Sequence, residues 1–333
     1  MKAAVVLEAG SPPVYGDFQE PVAGAAETIV AVSAAALSHV TRARASGTHY
    51  SSAGELPFIA GVDGVGHLDN GQRVYFTLLR APFGSLAQYA VVNTSQCVAV
   101  PDGLDDTTAA AIAIPGISSW AALKERAAFQ AGETVLINGA TGTSGRLAVQ
   151  IAKHLGARKI IATGRNPATL RLLPALGADV TISLAQAPDT LEESFQEQFG
   201  GDGVNIILDY LWGLSAEHLL IAAAKAGEEA FPIRFIHIGS ASAPTITLPS
   251  AVLRSSSVEL KGSGINSIPV HRLINVIDEL FKATVKADFK LATRSIALAD
   301  VQQVWSMEDS ATRIVFTMSE HDVNAHQALQ PTA

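Results

Sequence analysis

The sequence predicts an α/β protein organised on a doubly wound parallel sheet and carrying a second, β-rich domain. Three observations point there. Between Glu133 and Asn166 a short apolar run, Thr134 to Asn138, ends in Gly139, Gly142 and Gly145; a helical repeat of Leu147, Val149, Ile151 and Leu155 comes next, and a second apolar run fills Lys159 to Thr163. Downstream of Asn166, apolar runs and helical repeats keep alternating, as they do in a parallel sheet with crossover helices. Upstream, the first hundred residues hold only short Val- and Ala-rich runs broken by Gly, Pro, Asn and Ser.

Composition bounds the function classes. A chain of 333 residues suggests two domains, and a hydrophobic share of 48% is ample for two cores. The single cysteine excludes a disulfide framework and a four-cysteine zinc lobe within one chain, and fits a reducing, cytoplasmic compartment. The N-terminal MKAAVVLEAG has too short an apolar segment for a signal sequence, and no apolar run is long enough to span a bilayer. A net charge of −8 argues against nucleic acid as the main partner.

In chain order, strands are expected over Lys2 to Glu8, Thr28 to Ala36, Gly61 to Leu68, Arg73 to Leu79 and Ala87 to Val92, forming a compact antiparallel domain. Pro101, Asp102 and Gly103 form a turn, and short helices are expected over Asp105 to Ala113 and Ser118 to Ala128. Then comes the strand, glycine turn, helix and strand of a dinucleotide-binding unit, in which glycines admit a pyrophosphate close to the backbone and the helix N-terminus favours its charge. Asn166 caps a helix to Leu176 that stops at Gly177; further strands are expected at Asp179 to Ser183, Val204 to Tyr210, Arg234 to Gly239 and Ser257 to Lys261, with helices at Asp189 to Phe199 and Leu214 to Lys225. The last seventy residues hold a helix near Val270 to Lys282, a strand near Leu291 to Leu298, a helix over Asp300 to Met307 and a strand at Arg313 to Met318; this tail completes the N-terminal domain, and Ser319 to Ala333 reads as a loose terminus. The expected domains are therefore 1–117 completed by 265–333, and 118–264.

The residues just after the second strand select the nucleotide. An NAD site presents Asp or Glu there to the ribose hydroxyls, whereas this chain offers Gly164, Arg165 and Asn166. Arg165 suits a 2′-phosphate, so NADPH is favoured over NADH. Arg171 is a weaker second candidate.

The segments Gly61-Val-Asp-Gly-Val-Gly66, Gly71-Gln-Arg-Val74, Gly84-Ser-Leu-Ala-Gln-Tyr89, Val100-Pro-Asp-Gly103, the glycine turn and Arg313-Ile-Val-Phe316 resemble the medium-chain dehydrogenase/reductases, and among them the zinc-independent quinone oxidoreductases. The resemblance covers the chain up to about Met318. It implies a GroES-like catalytic domain interrupted by a Rossmann domain, NADPH as cofactor, and a homodimer joined through the Rossmann sheets. Zinc-bearing relatives have a cysteine where this chain has Ser38, a His-Glu pair where it has Val62-Asp63, and a further cysteine near Pro115, so no metal is expected. His39, His49, His67 and Cys97 are read as scattered histidines and a buried thiol. Ser38 and Thr41 also replace the asparagine and aspartate expected in zinc-free relatives, and Ala45 replaces a common arginine.

The expected activity is hydride transfer from NADPH to a quinone, with acceleration by placement and by hydrogen bonds to the developing oxyanion. Tyr50, beside His49, is the candidate donor. Thr141, Gly142, Thr143 and Ser144 should surround the pyrophosphate; by the resemblance, Ser119 lies near the nicotinamide, Gly239 and Ser240 face its carboxamide, and Gly264 with Ile265 and Asn266 closes the site. Asp63 and Asp209 are assigned structural roles. Two alternatives stay open: reduction of the double bond of an enal or enone by the same logic, and a non-catalytic NADPH-binding redox sensor, suggested by the substitutions at Ser38, Thr41 and Ala45.

Overall fold

The computed structural model describes residues 1–52, 55–200, 203–226, 229–307 and 312–318. The chain divides into two compact units, Met1–Ile114 with Ile277–Ala333, and Pro115–Val276. Both borders fall inside helices, Asp106–Ala121 and Val270–Ala287, rather than at 117/118 and 264/265.

In the first unit, Glu27–Ala36 is the ten-residue strand on which the main sheet is assembled. It pairs antiparallel with Asp63–His67, with Tyr89–Asn93 and with Arg313–Thr317, so the end of the chain returns to the N-terminal sheet. Alternating positions Val30, Val32 and Ala34 of this strand are buried, the period of a strand with one face on a core. Leu86, Phe76, Phe316 and Trp305 pack into that core. A three-stranded sheet of Val14–Asp17, Lys2–Val6 and Phe58–Ile59 accompanies it. The strands Val14–Asp17, Phe58–Ile59 and Cys97–Ala99 and the helix His39–Ala45 were not expected; each is too short to display a period. The expectation for Ser319 to Ala333 lies outside the described residues.

Two helix expectations need correction. A single helix runs Asp106–Ala121 where two were expected, passing straight through Pro115 and ending in a π turn, Ala122–Arg126. Proline there removes one backbone hydrogen bond at a cost of about 3 kcal/mol. The continuous helix, however, buries Ala109 to Ala113 on one side of Pro115 and Trp120 and Ala121 on the other, and the Ser118 and Ser119 hydroxyls donate back to the Pro115 carbonyl. Conversely, the helix expected up to Leu176 is two short pieces, Pro167–Leu170 and Leu173–Leu176, because Pro174 has no N–H to continue the first.

The second unit holds six parallel strands in the order Val180–Ser183, Lys159–Gly164, Thr134–Asn138, Ile206–Asp209, Ile233–His237, Val258–Gly262. All five residues of Thr134–Asn138 are buried, as both-face packing of a central parallel strand requires. The order reverses between Thr134–Asn138 and Ile206–Asp209, so the ligand crevice of this doubly wound sheet opens at the carboxyl ends, beside Asn138 and Asp209. Among the described residues no helix is long and apolar enough to cross a membrane.

Candidate active site

The glycine turn leaves Asn138 and enters the helix Thr143–His154. Its glycines do different work. A Cβ on Gly145 would lie 2.3 Å from the Gly139 carbonyl oxygen and 2.5 Å from the Ala140 Cα, so close helix–strand packing demands glycine there. A Cβ on Gly142 would meet only the Gly139 oxygen, at 3.7 Å. Nothing in the fold needs that space; it lies open toward whatever approaches the helix N-terminus. Gly142 is also the N-cap, and it supplies no side chain to the first-turn amides, which an anion can therefore take. Thr141, Thr143 and Ser144 are half-buried around the turn. Gly164, at the end of the second strand, is buried against the Thr141 side chain, which a Cβ would meet at 2.2 Å. Arg165 comes next, exposed, with no hydrogen bond or ion pair among the described residues. Asn166 is occupied as a cap, its side chain accepting from the Ala168 and Thr169 amides. Arg171 is exposed too, at the C-terminus of that short helix.

Below the turn, a polar row crosses the carboxyl edge of the sheet. The Thr163 hydroxyl donates to the Asn138 side-chain carbonyl at 2.8 Å, and the Asn138 amide donates to Asp209 Oδ1 at 2.8 Å and to the Ser215 hydroxyl at 2.9 Å. Asp209 also accepts from the Leu211 and Trp212 amides, and its Oδ2 lies 3.2 Å from His237 Nδ1. Asp209 is thus a fully buried strand-end carboxylate satisfied by its neighbours. Beside it, the Tyr210 hydroxyl lies 2.7 Å from the Ser119 hydroxyl, and Ser119 also reaches the Pro115 carbonyl at 3.0 Å and the Ser144 carbonyl at 3.5 Å. Burial pushes the Tyr210 hydroxyl well above the ordinary tyrosine range, against the opposing pull of its bonds to Ser119 and Ser118, so it stays protonated. Gly239 packs against the Tyr210 carbonyl, with Ser240 exposed beyond it. The structure therefore brings Ser119, Ser144 and Gly239 together around Tyr210, which is not among the expected cofactor-binding residues although it falls at a strand end facing the crevice. Gly264 and Asn266 are exposed in a 3-10 turn, Ile265–Ser267, near which Arg126 donates to the Gly262 and Ser267 carbonyls.

Tyr50 belongs to the other unit. It is 69% exposed, and its ring lies against that of His49 at a centroid separation of 4.2 Å. Burial, and then the charge of Arg44, hold His49 below its ordinary range. In the same unit Ser38 is the N-cap of the helix His39–Ala45, accepting from the Thr41 amide at 2.9 Å and sharing a 2.8 Å hydroxyl bond with Thr41. Asp63 is buried and accepts from the Tyr75 hydroxyl at 3.0 Å. These residues do not fit a zinc ion: the Ser38 hydroxyl is committed to a cap, Val62 and Pro115 offer no ligand atom, and among the described residues no three of His, Cys, Asp and Glu are grouped to hold a metal.

A doubly wound sheet with an open glycine turn at its switch point defines a dinucleotide-binding protein. Residues 145–282 match the family model described as zinc-binding dehydrogenase. The chain is 29% identical to a probable NADPH-dependent quinone reductase of Emericella nidulans, over 95% of this chain and 99% of that one. It is 32% identical to the 2-methylene-furan-3-one reductase of Solanum lycopersicum over 51% of this chain and 46% of that one. Its fold matches the quinone oxidoreductase of Thermus thermophilus, solved also with NADPH, with a TM-score of 0.75 and 25% identity over 95% of this chain and 100% of that one. In sequence over nearly its full length the chain is similar to quinone oxidoreductases of the medium-chain dehydrogenase/reductase type, and it shares their fold of a Rossmann unit and a GroES-like unit.

Proposed function

We propose that this chain is an NADPH-dependent reductase that delivers hydride to a quinone without a metal ion. The observation that carries the reading is Arg165: an exposed guanidinium with no acid partner among the described residues, at the end of the second Rossmann strand where an NAD site would present a carboxylate. The Gly142 to Ser144 backbone and hydroxyls take the pyrophosphate, and Ser119 with Tyr210 forms a polar floor beneath the turn. The cofactor, when bound, supplies the hydride. Tyr50, an exposed side chain, donates to the acceptor oxygen as charge develops on it.

A second reading, reduction of an activated carbon–carbon double bond, is favoured by the likeness to the tomato furanone reductase and uses the same donor. The deciding experiment monitors nicotinamide absorbance with NADPH and NADH against a benzoquinone, a polycyclic ortho-quinone and an unsaturated ketone, all in chelator. Turnover of a quinone with NADPH supports the proposal. Turnover of the ketone alone moves the assignment to the second reading, and NADPH binding without turnover of any acceptor moves it to a sensor. We also infer a cytoplasmic homodimer joined along the Val258–Gly262 strand, the last in the sheet order, which exposes Glu259 and Leu260; light scattering tests the mass.

A further inference from the structure

The GroES-like unit contains a small recess lined by Thr41 and Arg44 from the helix His39–Ala45 and walled by Phe58, Ile59, Val62 and Phe83. Among the described residues, Arg44 is the only charged one lining it. Its guanidinium is half-buried and has no hydrogen bond or ion pair among the described residues. The neighbouring arginine, Arg80, is already satisfied: it forms an ion pair with Glu27 at 2.9 Å and lies over the Phe83 ring at 5.7 Å. A cation drawn into apolar walls without a counter-charge is an unfavourable arrangement that an incoming anion relieves. Burial indeed pulls the Arg44 guanidinium below its ordinary range, and its charge acts on His49, which offers no acid.

Size restricts the occupant. The recess measures about 30 Å³, whereas one water needs roughly 10–15 Å³ on the same measure. It admits a group of about two or three heavy atoms, the size of a carboxylate, and excludes an aromatic ring. We propose that Arg44 and this recess form a subsite for a carboxylate carried on the acceptor, with the ring or chain of that molecule remaining outside. The substrate class is therefore an anionic quinone or enone rather than a neutral one, a conclusion that rests on the reductase reading above. An arginine fork matches the two oxygens of a carboxylate, and the apolar walls strengthen the pair by excluding water.

The test uses the full-length chain and two variants, Arg44→Met, which keeps the stem packing, and Arg44→Lys, which keeps the charge without the fork. In an equilibrium arm, binding of benzoate and of its uncharged methyl ester is measured by isothermal titration. Benzoate affinity should fall about tenfold or more in Arg44→Met and by less in Arg44→Lys, while the ester is unaffected. In a kinetic arm, KM is compared for two benzoquinones that differ by one carboxylate side arm. The carboxylated quinone should have the lower KM in the wild type, and Arg44→Met should remove the difference. Benzoate binding that ignores Arg44, or the absence of any binding, overturns the subsite even where quinones are reduced. Arg44-dependent benzoate binding with no quinone or enone turnover keeps the anion site and overturns the reductase reading instead. Should Arg44→Met fail to fold, Arg44→Lys and the benzoate–ester comparison in the wild type decide the matter.

Discussion

Arg165 and Gly164 are adjacent but answer to different forces: Gly164 is fixed by its contact with Thr141, whereas Arg165 has no polar partner among the described residues. Folding therefore does not depend on Arg165, and its replacement should be read only by a ligand. Arg165→Glu removes a charge-assisted contact and adds repulsion, so the NADPH dissociation constant should rise about ten- to a hundredfold while that of NADH changes little, with thermal stability unaltered. Equal losses for the two nucleotides would show that the phosphate lies elsewhere. Ser119 and Tyr210 are the opposite case, two hydroxyls that mainly serve each other. Ser119→Ala removes the Ser119 bonds and leaves the largely buried Tyr210 hydroxyl only its bond to Ser118, whereas Tyr210→Phe leaves Ser119 its bond to the Pro115 carbonyl. A double-mutant cycle in urea should give a coupling of about 1 kcal/mol, with the serine change the more costly. A larger effect of Tyr210→Phe on NADPH affinity than on stability would place that hydroxyl against the cofactor.

At the scale of the element, the glycine turn separates packing from binding within four residues. Gly145→Ala drives a methyl into backbone at 2.3 Å, which no side-chain motion can relieve, and should cost about 1–3 kcal/mol or more along with the cofactor site. Gly142→Ala has φ −76° and ψ 168°, comfortable for alanine, and its methyl touches nothing closer than 3.7 Å. It should leave the urea midpoint within about 0.5 kcal/mol of wild type and weaken NADPH severalfold. Equal destabilisation by both would mean that the turn has no ligand side. The strand, turn and helix were legible because their periods change within one short stretch, and the alternation beyond Asn166 revealed the class of the sheet. The helix through Pro115 was not, because what holds it together is burial on both flanks rather than anything local. Nor were the bonds that build the polar row: Asn138 and Asp209 are 71 residues apart and Ser119 and Tyr210 are 91 apart, distances at which spacing carries no signal.

For the molecule as a whole, stability is tied to pH through a buried cluster around Asp63. Asp63 and Tyr75 come from neighbouring strands, and Arg313 comes from the returning C-terminal strand of the same sheet. All three are buried; Asp63 Oδ1 and Arg313 Nε and Nη2 have no hydrogen-bond partner among the described residues, so the ionised pair is incompletely compensated. Burial raises the Asp63 carboxyl to about 7, against the opposing charge of Arg313 and the bond from Tyr75, while burial lowers Arg313 to about 10. A carboxyl whose pKa is higher folded than unfolded binds its proton more tightly in the native state. Its contribution is therefore complete below its unfolded value of 3.8 and is lost as pH rises through about 7. At about 1.4 kcal/mol per unit this amounts to roughly 4 kcal/mol in full, more than half of it falling between pH 5 and 8. Urea midpoints of wild type and Asp63→Asn at those two pH values isolate the effect, since asparagine can still accept from Tyr75. The wild type should lose the larger share of its stability on going to pH 8, whatever the absolute cost of the substitution. Parallel losses in the two proteins, or a wild type that gains stability over that interval relative to the variant, would mean that Arg313 keeps Asp63 ionised and that the cluster acts as a closed ion pair.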